Sequence, residues 1–191
     1  MAYFPAFLKL DNCKILVIGG GNIASEKIKK LLDFTKEITI IAPKISDSVK
    51  TIIDNNNLEF KQRSYNKGDI KGFFIVVVAV DDISLQKEIY NECQNYNILC
   101  NSVDSVEYCN FIFPSYTKKG VLTVAFSTSG VSPSMAKYLR QAIEAIIPDS
   151  IVDFLEEMRE LRSSLPKGKE RMDLLDKKAK TYIENIFKKG K

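Results

Sequence analysis

The sequence predicts an α/β protein built on a parallel sheet, and three observations carry that expectation. The apolar run Ile15-Leu16-Val17-Ile18 is followed at once by three glycines and then by a helical periodicity at Ile23, Lys27 and Leu31. Strand-like and helix-like segments then alternate as far as Cys100 at the pace of βαβ units, which calls for parallel strands covered on both faces. Among the strand segments, FFIVVVAV (73–80) reads as the most central in the chain.

Each element follows in turn. Residues 22–33 form a helix, and EITIIAP (37–43) a second core strand ended by Pro43. Residues 45–56 fit another helix and LEFKQRSY (58–65) a strand nearer the edge. After 73–80, residues 83–96 fit a helix and Ile98-Leu99-Cys100 a short strand. Past residue 104 the pattern changes. FIFPS (111–115) and VLTVAFS (121–127) read as strands joined by a polar turn at 116–120, and STSGVSP then leads into a helix at about 134–147, ended by Pro148. Two amphipathic segments, about 150–163 and 169–188, fill the tail around PKG (166–168). Their stripe of Ile151, Phe154, Leu155, Met158 and Leu161 packs on the rest of the protein or on a twin subunit. The expected layout is a Rossmann-like domain over 1–112, a small α/β region over 113–148 and a helical domain over 149–191.

Composition narrows the function. With 45% hydrophobic and 27% charged residues, the chain has a core to bury and is neither disordered nor a membrane protein. MAYFPAFLKL carries no basic region ahead of an apolar stretch, so no signal peptide is expected and the cytoplasm is the default compartment. Cys13, Cys93, Cys100 and Cys109 lack C-x-x-C or zinc spacing and read as small buried hydrophobes, so no standing metal site is expected. Histidine is absent, which leaves acid–base work to Asp, Glu, Tyr, Lys or Cys. The excess of basic residues from Lys167 to Lys191 is interleaved with acids and lacks aromatic partners. It reads as a solvated helical face rather than a nucleic-acid surface.

The spacing Gly19-x-Gly21-x-x-Ala24 matches a dinucleotide fingerprint. The first glycine permits a tight turn, the second lets the backbone approach a pyrophosphate, and a small third residue lets helix and sheet pack closely. Alone, such a triplet serves equally as a plain βα turn; the βαβ surroundings favour the ligand. Strand ends where a ligand would gather are 19–24, Ala42-Pro43-Lys44, 79–82 and 101–104. No acid follows the second strand. Lys44 stands there instead and tolerates a ribose phosphate, so NADP stays open beside NAD. Asp81 and Asp82 shape a βα turn.

Several separated motifs, in order from Tyr3 to about Pro148, carry a family resemblance: YFPAFLKL, KILVIGGGNIASEKI, NSVD, CNFIFPS and STSGVSPSMAKYLRQAIE. Together they resemble the precorrin-2 dehydrogenase family, known as the N-terminal module of siroheme synthase, as a free-standing protein and as a yeast dehydrogenase/ferrochelatase. The resemblance implies NAD-dependent oxidation of the tetrapyrrole precorrin-2 to sirohydrochlorin, on the route to siroheme or cobalamin. It also implies a homodimer with a dinucleotide domain, a dimerisation region bordering the substrate cleft and a helical C-terminal domain, with no nucleic-acid or membrane partner. Some members also insert Fe2+ as a chelation substrate.

By motif, the family's cofactor contacts fall on Gly19, Gly21, Asn22, Ile23 and Ala24, and on Pro43 and Lys44, with Ala79 at the neighbouring strand end. Its catalytic acid falls on Asp104, in Asn101-Ser102-Val103-Asp104. The loop beside the tetrapyrrole falls on Ser127, Thr128, Ser129 and Gly130, where the family usually has Gly-Gly in place of Ser129-Gly130. Read on chemistry alone, Asp104 either receives a substrate proton or caps the next segment, and Asn101 either touches a pyrrole edge or shapes a turn. Lys137 and Arg140 either meet substrate carboxylates or lie in solvent, and Ser132 either caps its helix or binds a carboxylate. The alternatives to a dedicated dehydrogenase are a bifunctional dehydrogenase and ferrochelatase, in which Asp104 takes pyrrole protons as iron enters, and a binding protein without catalysis.

Overall fold

A computed structural model describes residues 3–188, with the side chains of Phe187 and Lys188 outside the description. The ends of the sequence-based assignments, Met1-Ala2 and 189–191, lie outside the described residues. The chain divides into two compact units, one spanning Tyr3–Ile112 and the other running from Phe113 onward.

The first unit is a five-stranded parallel sheet with a helix in every crossover except the one between its third and fourth strands. Its elements are β1 (Ile15–Ile18), α1 (Asn22–Leu32), β2 (Ile38–Ile41), α2 (Asp47–Asn56), β3 (Glu59–Lys61), β4 (Ile75–Val78), α3 (Ile83–Asn95) and β5 (Leu99–Ser102). The strands lie in the order β3-β2-β1-β4-β5. The chain therefore builds outward from β1 on one side, then crosses back to place β4 on the other. Register fixes that crossing: Ile15 lies beside Ile38 of β2 and Ile75 of β4, and Ile18 beside Ile41 and Val78. The place where the winding reverses is thus the carboxyl end of β1 and β4.

All residues of β1 and β4 are buried, as is required of strands covered on both faces. Leu16, Val76, Ile89, Cys93 and Cys100 form one cluster between sheet and α3, and each large side chain there contributes about 1.5–3 kcal/mol of burial. The central strand is β1, not the 73–80 segment: β4 has a still longer apolar run, but it sits one place toward the β5 edge. Hydrophobicity reports burial, and both strands are buried equally. Beyond β5 the chain turns back, and Asn110 pairs with its edge. The Cys100 amide donates to Asn110 Oδ1 at 2.7 Å, and the Asn110 amide donates to the Cys100 carbonyl at 3.0 Å.

The second unit holds an antiparallel hairpin, β6 (Ser115–Lys119) and β7 (Leu122–Phe126), then α4 (Pro133–Ile146), α5 (Ile151–Ser164) and α6 (Lys169–Lys188). The sequence placed the first hairpin strand at 111–115 and a turn at 116–120; the structure moves the strand to Ser115–Lys119. Pro114 has no amide for a ladder, whereas Tyr116 to Lys119 alternate, with Thr117 buried between more open neighbours. Lysines are tolerated because Lys119 is anchored: its ammonium donates to the Ile147 carbonyl at 2.6 Å and pairs with Asp149 at 2.8 Å. The turn shrinks to Gly120-Val121, with Gly120 at φ +57°. Helix α4 packs on both hairpin strands, and α5 on β7 and α6. In the α5 stripe Ile151 is buried, while Phe154 stacks on Tyr182 of α6 with centroids 4.0 Å apart. Among the described residues no helix is long and apolar enough to cross a membrane.

Candidate active site

The glycine turn sits at the topological reversal, and each glycine meets a different demand. Gly19 has φ +116°, and a Cβ there would lie 2.1 Å from the Ala79 carbonyl oxygen. Gly20 is equally confined, with a notional Cβ 2.3 Å from the Lys44 oxygen, and its own carbonyl accepts from the Ser46 amide at 2.8 Å. These two glycines let β1 abut the strand ends on either side of it. Gly21 differs, because a Cβ on it would meet nothing within 4 Å. It is the N-cap of α1, and no side chain caps that helix. The amides of Asn22, Ile23 and Ala24 at that end lack intrahelical acceptors.

An uncapped helix start behind a glycine with open space in front is the arrangement a pyrophosphate needs. The residues present therefore fit a dinucleotide. Ala24 is fully buried, which is the close helix–sheet contact assigned to it from sequence. Pro43 and Lys44 are exposed beyond the end of β2, on the side where an adenosine ribose lies in this topology.

On the β4–β5 side, Ile23, Ala79, Val80, Asp81, Ile83, Gln86, Val103, Asp104 and Ser105 enclose a cavity of about 170 Å³. Asp104 is exposed at its mouth, in a left-handed conformation with φ +61°. It does not cap the following 3-10 turn (Val106–Tyr108), whose N-cap is Ser105. Its carboxylate makes no hydrogen bond or ion pair shorter than 4 Å among the described residues. At longer range Asp104 and Cys109 favour the charged form of Lys27 on α1, although burial dominates and lowers the pKa of that ammonium. The Cys109 thiol, which accepts from the Ser102 amide at 3.2 Å, is pushed up mainly by burial.

Asn101 is buried rather than turned toward the cavity. Its Nδ2 donates to the Phe111 carbonyl at 3.0 Å, while its Oδ1 and the nearby Ser102 Oγ are buried without a partner. Asp82 caps α3, accepting from the Ser84 amide at 2.9 Å and the Leu85 amide at 3.1 Å, so it serves the turn. Asp81 lines the cavity.

In the second unit the loop 127–132 is folded by its own hydroxyls. The Ser129 amide donates to Ser127 Oγ and the Ser132 amide to Thr128 Oγ1, both at 3.0 Å. Ser129 and Gly130 are both left-handed, at φ +52° and +84°, which is the conformation a Gly-Gly pair adopts without strain. Ser132 caps α4 through the Met135 amide at 3.2 Å. Arg140 pairs with Glu144 on the same helix, and Lys137 is exposed.

Gln86 and Ser105 were not singled out from sequence. The available signal was a glutamine on the apolar stripe of α3, in step with Ile89 and Cys93, where an unpaired amide would be costly.

A doubly wound sheet with a glycine turn and an uncapped helix at its reversal defines a dinucleotide-binding protein. A family described as putative NAD(P)-binding matches residues 6–115. Siroheme synthase from Pseudoalteromonas atlantica is 35% identical over 163 residues, 84% of this chain and 35% of that protein. The siroheme synthase of Zymomonas mobilis is 30% identical over 187 residues, 98% of this chain and 39% of its own. The chain thus spans little more than a third of these curated relatives. The solved structure of SirC, a precorrin-2 dehydrogenase, superposes with a TM-score of 0.77 at 26% identity, covering 97% of this chain and 100% of that one. The chain belongs to the putative NAD(P)-binding family, and over most of its length it resembles siroheme synthase and the precorrin-2 dehydrogenase SirC.

Proposed function

We propose that this chain oxidises precorrin-2 to sirohydrochlorin with NAD as hydride acceptor, acting as a cytoplasmic homodimer. The observation that carries this is the shared cavity: the carboxylate of Asp104 opens onto the same walls as Ile23 of the glycine turn and Ala79 at the end of β4. With pyrophosphate at Gly21 and adenosine toward Lys44, the nicotinamide end extends to the β4–β5 side, the side of Asp104.

The bound nicotinamide supplies a two-electron acceptor. The chain's own part is to place and to steer. The amides of Asn22 to Ala24 hold the phosphates, Ile23 and Ala79 exclude water along the ring, and Asp104 accepts the proton released as hydride leaves the macrocycle. An exposed carboxylate free of close partners keeps its lone pairs for that proton. Four free cysteines, two of them fully buried, agree with a reducing compartment. Met135, Tyr138, Leu139 and Ile146 stand exposed at helical spacing on α4, an apolar stripe suited to a second copy.

The test is anaerobic turnover of precorrin-2 with NAD, followed by sirohydrochlorin and NADH absorbance, for wild type and Asp104→Asn. The expected loss is about 10²–10⁴-fold in kcat with dinucleotide affinity retained. Turnover unchanged in Asp104→Asn removes the role given to that carboxylate.

A further inference from the structure

We infer that Gln86 is the positioning residue of Asp104, an assignment that rests on the dehydrogenase proposal above for its catalytic meaning but not for its geometry. Asp104 sits in a left-handed conformation, and among the described residues its side chain makes no hydrogen bond or close ion pair. What holds the turn lies on either side of it. Gln86 Nε2 donates to the Val103 carbonyl at 3.3 Å, and Ser105 Oγ donates to Gln86 Oε1. The same amide nitrogen donates to the Val80 carbonyl at 2.6 Å. One buried side chain, 3% exposed, therefore grips the end of β4 and both neighbours of Asp104, the two walls of the cavity.

Both donor hydrogens and the acceptor oxygen of Gln86 are engaged, so the amide has one orientation that satisfies all three partners. Its own position is fixed by α3: the Gln86 amide donates to the Asp82 carbonyl at 3.0 Å, one turn from the capped end. A chain of contacts thus runs from the Asp82 cap through Gln86 to the turn that presents Asp104. A carboxylate that must meet a substrate proton within hydrogen-bond reach loses rate when its loop relaxes by a fraction of an ångström. Gln86→Met keeps length and burial but removes every side-chain hydrogen bond, and it tests the assignment directly.

Two readouts are needed. Amide hydrogen exchange of the unliganded protein should quicken about tenfold or more at Val103 and Ser105 in Gln86→Met, while Val17 on β1 is unchanged. Unchanged exchange at those two amides overturns the inference whatever the reaction is. In turnover, kcat should fall about tenfold with the KM for NAD within about twofold. Placed on Asp104→Asn, the same substitution should cost less than about twofold, because a residue acting through Asp104 has nothing left to position. Losses that multiply in the double variant overturn the positioning role. Absence of wild-type turnover instead defeats the dehydrogenase proposal and leaves exchange to decide. Where Gln86→Met fails to fold, Ser105→Ala, which removes one of the three contacts, should give about threefold faster exchange at Ser105; no change there overturns the inference.

Discussion

Substituting the three glycines one at a time separates what the fold needs from what the cofactor needs. Gly21→Ala adds a methyl at φ −85° and ψ −168°, an ordinary extended conformation, into space with no neighbour within 4 Å. Alanine is a poorer N-cap than glycine, yet it restricts the unfolded chain. The two effects are each about 0.5–1 kcal/mol and opposed, so the melting temperature should stay within about 3 °C of wild type. The methyl stands where a phosphate would approach the α1 amides. Displacing one charge-assisted bond, at about 1.5–3 kcal/mol, weakens dinucleotide binding roughly tenfold to 150-fold. Gly19→Ala behaves in the opposite way. Its Cβ falls 2.1 Å from a backbone oxygen at a φ of +116°, so strand ends must separate by about an ångström, and a loss of more than about 4 kcal/mol in stability is expected. Calorimetric titration of NAD and thermal unfolding of both variants provide the measurements. Wild-type NAD affinity in Gly21→Ala refutes the placement of the pyrophosphate, and a fully stable Gly19→Ala refutes the packing argument.

The acid limb of stability should report Asp69. Arg63 holds its carboxyl below the ordinary 3.8, through hydrogen bonds of 2.6 and 2.9 Å, with help from the Asn66 amide. Because the folded pKa is the lower one, the contribution is complete above 3.8 and disappears as pH falls through the folded value. Asp69→Asn should therefore melt roughly 2–4 °C lower at neutral pH, with the gap closing below 3.8; a constant gap across pH refutes the assignment. Tyr138→Glu, at a side chain 65% exposed on α4, should shift sedimentation from dimer to monomer mass, and a monomeric wild type refutes the self-association proposed for that stripe.

The sheet was legible because its signal is local. An uninterrupted apolar run such as Ile75 to Val78 has one comfortable place in an α/β protein, and Gly19 to Ala24 mark the turn that follows β1. Strand order was less legible: β1 and β4 are equally buried, and nothing in their composition says which is central, since that depends on which way each crossover runs. The hairpin misassignment has the same root. FIFPS outscores SYTKK in hydrophobicity, but β6 needs one covered face and a supply of amides, and Pro114 denies the second.

Within the candidate site, motif residues were visible and their supports were not. Asp104 stood out through the resemblance of Asn101-Ser102-Val103-Asp104 to a family motif, whereas Gln86 is far from it in sequence and becomes its neighbour only when α3 lies against the ends of β4 and β5. Ser129 shows the complementary case. Its oddity was plain beside a familial Gly-Gly, but the reason emerges with φ +52°, a conformation that costs a serine about 1 kcal/mol or more and a glycine almost nothing. Chemistry-bearing side chains follow local motifs because reacting groups must be of one type. The residues that hold them answer to geometry alone, so any side chain of the right length and hydrogen-bonding capacity serves, and only the folded chain reveals which one was used.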